Sequence, residues 1–444
     1  MTVPFDAGDE MRARNEGSDN ASNRATARRS RQGQRHDAHR GRRSWLSYVR
    51  SLGPGVMAGF ADNDPAGVAT YAIAGAVAGY SQLWLLVLAT FMVQAVQVTS
   101  ARLGDVTHSG ILRLARVRYG WSVAAVIGLF GIVANEATLI ADTAALGASF
   151  ELLTGIPWQW FVIPSSVGLT LLTVFCNFRW LRNVFMAIGA LLLTYVVTAF
   201  LVQPDWGAVL RATFVPTLPR GLDEIAAAVA LLGTTISPYL VFWQAEGERE
   251  AQRTSREFRY TVVDVTVGYV ASNLVSFFII VTTAATLYVN QQMIRTAEDA
   301  AKALRPLAGD LSSDIFAVGL LAAGILAIPV FAICNGYIAS ELFGWQSGLS
   351  RSPRDVPGFY MVLCAAFLLG SLAVFLGVDP MVALFGSQIL DGCLMPALIV
   401  VLAFLANDRR VMGRHRNTRY YNIWLGVAFV VMMGGVVALV VNLR

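Results

Sequence analysis

Charge is scarce in this chain, and cysteine scarcer still. Of 444 residues only 14% are charged, while 55% are hydrophobic. A soluble domain carries about 25% charged residues. Mean hydropathy is +0.55. A soluble enzyme, a secreted disulfide scaffold and a nucleic-acid binder are poor readings of such a composition. The four cysteines, Cys176, Cys334, Cys364 and Cys393, lie in apolar runs and form no CxxC pair. No disulfide framework or thiolate metal site is visible, and they read as small buried hydrophobes. Histidine is missing where it would matter most: His36, His39, His108 and His415 all fall in tails or loops. No imidazole is available inside an apolar segment as a metal ligand or proton carrier.

What the chain has instead is long apolar runs. Eleven recur, at residues 54–75, 83–101, 121–152, 160–178, 184–203, 224–245, 262–289, 312–341, 359–377, 381–406 and 421–442. A bilayer-crossing helix needs about 20 such residues. The pattern predicts an all-α polytopic membrane protein with about 11 transmembrane helices.

Arginine marks every second connection. Arg102, Arg113, Arg116 and Arg118 lie in 102–120, and Arg179 and Arg182 in 179–183. Arg249, Arg253, Arg256 and Arg259 lie in 246–261, and Arg351 and Arg354 in 342–358. Arg409, Arg410, Arg414, Arg416 and Arg419 lie in 407–420. The opposite connections are poorer, with Arg211 and Arg220 in 204–223 and none in 153–159 or 378–380. The positive-inside rule then predicts a cytoplasmic N-terminus and, after eleven spans, an external C-terminus, in a bacterial inner membrane. Residues 1–44 hold ten Arg and no apolar periodicity. They read as a disordered basic cytoplasmic tail that helps set topology, with anionic lipid as a further contact. The first apolar stretch, from about Gly53, carries two Asp and no cleavage pattern, so it is not a secretory signal.

Ionisable residues within spans are expensive and usually functional. Asp62 and Asp64 lie in the first span, Glu136 and Asp142 in the third, and Asp391 in the tenth. Glu246 and Asp264 fall at span ends, where solvated carboxylates are expected.

The first span contains Ala61-Asp62-Asn63-Asp64-Pro65-Ala66-Gly67. Pro65 cannot return a hydrogen bond, so carbonyls near Ala61 lose helical partners. In lipid such a break is tolerated only where it faces protein or a water-filled cavity. A freed carbonyl beside a carboxylate is a cation site in the making; a simple proline kink is the alternative. The sixth span repeats the device in Thr234-Thr235-Ile236-Ser237-Pro238-Tyr239. Each break opens a set of five spans, and five is odd, so the second set is inverted relative to the first. The repeats are expected over 45–203 and 224–406, with 421–442 as an added helix. Paired broken helices in inverted repeats point to a transport site at the midplane. Gln388 and Asp391 share a face of the tenth span, either toward that site or as a buried pair between helices.

These features resemble the NRAMP family of divalent-metal transporters over about residues 50–406. The first-span pattern is carried by Gly53, Pro54, Gly55, Asp64, Pro65, Gly75, Ala76, Gly79, Tyr80, Leu83 and Trp84. Gln97, Arg102-Leu103-Gly104 and Thr107 match the second span, and Ser387-Gln388 with Met395-Pro396 the tenth. The resemblance implies a LeuT-like 5+5 inverted repeat with helices 1 and 6 broken.

The departures are informative. The family's first-span DPGN is Asp64-Pro65-Ala66-Gly67 here, and its sixth-span MPH is Ser237-Pro238-Tyr239. Its second sixth-span histidine becomes Gln244, and its third-span acidic pair aligns with Asn135 and Thr138. The pattern is similar to the NRAMP-related magnesium transporters. A thioether selects softer metals, whereas Ser237 offers only a hard oxygen. Mg2+ dehydrates reluctantly and keeps several waters. The expected site therefore joins Asp64, the carbonyls of Ala61 and Thr234, and water bridges to Ser237, Gly67 and Gln388. Mg2+ is the expected cargo, Mn2+ a second one, moving without obligatory protons. Alternatives are a proton-coupled Mn2+/Fe2+ symporter, an organic-cation or amino-acid carrier of the same fold, and a polytopic membrane enzyme. The last would need a nucleophile–base pair or histidine cluster in the spans. The lipid bilayer and the divalent ion are the expected partners, with no cofactor, nucleic acid or obligatory protein partner evident.

Overall fold

In the computed structural model the described residues are 54–175, 193–251, 258–349, 351–372, 375, 377 and 379–443. The basic tail, Gly53, Cys176, Arg179, Arg182, Arg253 and Arg256 lie outside them. Every regular element among the described residues is helical. The principal helices are α1 (Pro54–Ala61), α2 (Pro65–Ala78), α3 (Leu83–Thr107), α4 (Ile111–Tyr119) and α5 (Trp121–Thr154). They continue with α6 (Gln159–Phe175), α7 (Leu193–Leu201), α8 (Trp206–Phe214), α9 (Leu222–Thr235) and α10 (Pro238–Ala251). The rest are α11 (Phe258–Thr283), α12 (Ser312–Phe343), α13 (Pro357–Gly370), α14 (Pro380–Asn407) and α15 (Arg419–Asn442).

Each of the eleven expected spans meets a helix, and the first and sixth are split at Pro65 and Pro238 into α1/α2 and α9/α10. Seven helical stretches among the described residues are long and apolar enough to cross a membrane. Two loops hold helices that apolarity alone did not reveal: α4 after the second span and α8 after the fifth. Both are short and amphipathic, so neither yields an apolar run.

Helix packing follows the small residues. α1 lies on α11 with Gly59 against the Gly268 backbone, where an added Cβ would come within 2.4 Å of the Gly268 carbonyl. α9 meets α14 in the same way, Gly233 facing Gln388 and Gly392. Lipid tails are as apolar as leucine, so close backbone approach and its dispersion contacts hold such helices together. α12 runs along α5, and α10 along α3. Leu171, Phe404 and Val430 point outward and stay exposed, a surface suited to hydrocarbon. Of the described cysteines, Cys334 is buried as expected, but Cys364 is exposed and Cys393 half-buried.

Candidate cation site

The two proline breaks face one another. α1 ends where the Asp62 N–H bonds the Ala58 carbonyl at 2.9 Å. Asp64 then caps α2, its Oδ1 accepting from the Gly67 N–H at 2.5 Å. The cap satisfies an orphan amide and sets a carboxylate at the positive end of the helix dipole. α9 ends with the Ile236 N–H on the Leu232 carbonyl at 3.0 Å, and Pro238 opens α10. The Tyr239 hydroxyl crosses between the breaks and donates to the Ala61 carbonyl at 2.9 Å. The Tyr71 and Thr235 hydroxyls lie 3.0 Å apart and add a second tie.

Gly67 faces the gap. A Cβ there would stand 2.8 Å from Asp64 Oδ1, 2.9 Å from the Asp62 carbonyl oxygen and 3.0 Å from Thr234 Oγ1. Three oxygens of different chemistry thus converge on Gly67, so closely that a side chain there would collide with them. Asp64 and Thr234 are buried, and the Thr234 hydroxyl has no hydrogen-bond partner.

The six residues singled out by sequence are distributed as follows. Asp64, Gly67 and Thr234 come together, but Thr234 brings its hydroxyl. Its carbonyl accepts from the Ser237 hydroxyl at 2.7 Å, with the Gly233 carbonyl 3.1 Å from the same oxygen. The Ala61 carbonyl carries Tyr239. Both carbonyls that the prolines release are thus recaptured by hydroxyls from the start of α10, because an unmade bond to a buried carbonyl is costly. Each keeps a second lone pair. Gln388, on α14, has its Oε1 buried without a partner, while its Nε2 lies 3.2 Å from Ser387 Oγ and 3.5 Å from Thr138 Oγ1.

Two acids join from further off. Asp142 on α5 accepts from the Ala66 N–H at 3.0 Å, the amide beside the one that Asp64 caps. Asp391 Oδ2 lies 3.4 Å from Thr138 Oγ1. The Asp62 side chain turns away, accepting from the Ser272 hydroxyl at 3.0 Å on α11. Glu136 accepts from the Asn335 amide at 2.8 Å, and the Asn135 amide donates to Asn335 Oδ1 at 3.0 Å, so this pair ties α5 to α12. Glu246 and Asp264 are not solvated as expected. Both are buried: Glu246 pairs with Arg249 at 2.5 Å, and Asp264 accepts from the Gly55 N–H at 2.9 Å. Among the described residues no three His, Cys, Asp or Glu side chains gather closely enough to hold a metal alone. An ion held beside Asp64 would draw on carbonyls, hydroxyls and water as well.

A family model described as natural resistance-associated macrophage protein-like matches residues 55–442. The chain belongs to the NRAMP family. It is similar to the divalent metal cation transporter MntH of Klebsiella pneumoniae, 27% identical over 398 residues, covering 86% of this chain and 92% of the relative. The manganese transporter of Eremococcus coleocola, solved with an aromatic bis-isothiourea compound, aligns with a TM-score of 0.73 at 18% identity. That match covers 90% of this chain and 88% of the other. Mhp1, a nucleobase-cation-symport-1 family transporter, aligns at 0.57 and 16% identity over 88% of this chain and 91% of its own. This NRAMP-family chain is an integral multi-pass membrane protein with the LeuT-like architecture expected from its paired breaks.

Proposed function

We propose that the protein transports divalent cations by alternating access, importing Mg2+ with Mn2+ as a second cargo. Asp64, the Ala61 and Thr234 carbonyls, Ser237, Gly67 and Gln388 form the site in this reading. The observation that carries it is the all-oxygen cluster at Gly67, made by Asp64 Oδ1, the Asp62 carbonyl and the Thr234 hydroxyl. It offers a carboxylate, a carbonyl and an unpartnered hydroxyl, and no sulfur or imidazole. Hard oxygen donors suit Mg2+ and Mn2+, whereas thioether and imidazole favour softer ions. Gly67 and Ser237 are smaller than the Asn and Met of the family motif, which favours an ion that keeps part of its hydration shell. The names of the matched relatives agree with a divalent cargo.

The same reading has the N-terminus in the cytoplasm, the C-terminus outside and no obligatory proton movement. Tyr239 and Gln244 do not titrate near neutral pH. Asn135 bonds Asn335, and Thr138 bonds its own helix backbone and Asp391; neither of these two side chains ionises. Coupling is also unnecessary. An inside-negative potential contributes about 2.3 kcal/mol per charge per 100 mV, hence about 4.6 kcal/mol for a dication. At about 1.4 kcal/mol per tenfold, that supports a gradient of roughly a thousandfold. A proton-coupled Mn2+ carrier is the second reading, favoured by the manganese transport that the Eremococcus coleocola structure is named for. Isothermal titration of the purified protein with Mg2+, Mn2+, Ca2+ and Cd2+ tests the choice. Saturable Mg2+ binding is expected. Binding of Mn2+ and Cd2+ with none of Mg2+ would overturn the Mg2+ reading.

A further inference from the structure

Four buried oxygens on the helices around the proline breaks have no hydrogen-bond partner: Asp142 Oδ2, Asp391 Oδ1, Gln388 Oε1 and Thr234 Oγ1. Asp142 and Asp391 are fully or almost fully buried, at 0% and 2% exposure. An unpaired buried carboxylate oxygen is expensive, so its retention at two positions needs a reason. The two acids share one surface. Thr138 and Asp142 are four apart on α5, hence on one face, and Thr138 holds Asp391 and Gln388 from α14. At the other end of that face Asp142 reaches the first turn of α2, on the amide adjacent to the Asp64 cap. Asp64, Asp142 and Asp391 therefore follow one another along α5. No Lys, Arg or His occurs in α2, α5, α9 or α14, so these helices bring no cation to offset them.

We infer that Asp142 and Asp391 are the second and third carboxylates of the cation site, acting on the hydration shell of a dication whose inner contact is Asp64. The inference rests on the divalent-cation reading above and specifies how the site recognises charge. The three acids are too spread to coordinate one bare ion together. A hydrated ion is larger, and its waters donate hydrogen bonds to the free oxygens of Asp142, Asp391 and Gln388. Such a site selects valence through its net charge and favours the ion that keeps its water. Neither acid belongs to the motif that carries the family resemblance.

Isothermal titration with Mg2+ and Mn2+ tests the inference on the full-length protein. Asp391→Asn and Asp142→Asn keep the side-chain shape and an acceptor for Thr138 or Ala66. Each should weaken Mg2+ binding tenfold or more, and weaken Mn2+ binding by a similar factor, because the lost term is charge. Asp391→Glu keeps the charge and should retain most of the affinity, which separates charge from packing and covers an Asn variant that fails to fold. Wild-type Mg2+ affinity in folded Asn variants, with binding still abolished in Asp64→Asn, would overturn this inference and leave the cation-site reading standing. Absence of Mg2+ binding in the wild-type protein would overturn both.

Discussion

The Tyr239 hydroxyl donates to the Ala61 carbonyl at 2.9 Å, across 178 residues of sequence. This bond joins the two broken helices at the point where each has lost its own ladder. Tyr239 also packs against Phe331, ring centroids 4.2 Å apart, so the hydroxyl is held in place. Tyr239→Phe removes the donor and keeps the ring. A buried acceptor left unpaired costs about 1–3 kcal/mol. The variant should melt measurably below wild type in detergent, and its cation affinity should change because the Ala61 carbonyl is loosened. Unaltered melting and binding would mean that the bond does not link the breaks.

Gly67 and Ser237 are expected to set cargo preference. Asn at 67 crowds the site, since its Cβ alone would come within 3.0 Å of three oxygens, which must shift to admit it. Met at 237 supplies a soft ligand and removes the hydroxyl from the Thr234 carbonyl. The double variant Gly67→Asn/Ser237→Met should move preference from Mg2+ toward Mn2+ and Cd2+ by tenfold or more, read as the ratio of binding constants in competition titrations. An unchanged Mg2+ to Cd2+ ratio would contradict the size-and-softness argument.

The breaks were legible because they are local. A proline lacking an N–H tells on the carbonyl four residues earlier whatever the rest of the chain does, so Asp64-Pro65 and Ser237-Pro238 stand out in the sequence. Their recapture was not legible. It depends on which hydroxyl the fold delivers, and Tyr239 is far from Ala61 in sequence. Asp142 likewise reaches the Ala66 amide over 76 residues, a contact no periodicity announces. Glu246 and Asp264 misled for a related reason. Position at a span end suggests solvent, but Arg249 and the Gly55 amide give each a buried partner. A signal for Thr138 and Asp142 was present: two polar residues four apart on an apolar helix mark one face.

Transport is expected to proceed without obligatory proton movement. Proteoliposomes carrying a trapped pH-sensitive dye and a Mg2+ gradient should take up Mg2+ with no matching change in lumenal pH. Acidification that scales with Mg2+ uptake and survives clamping of the potential would establish coupling and contradict this prediction.

Asp64, the carboxylate that caps α2 beside Gly67, is the central ligand of the proposed cation site. The most direct measurement is Mg2+ entry into proteoliposomes under an inside-negative potential, with a Mg2+-sensitive dye in the lumen. Wild-type protein should give saturable, potential-driven uptake, and Asp64→Ala of equal monodispersity and reconstitution should reduce it to the rate of protein-free vesicles. Wild-type uptake by a folded Asp64→Ala protein would contradict the account.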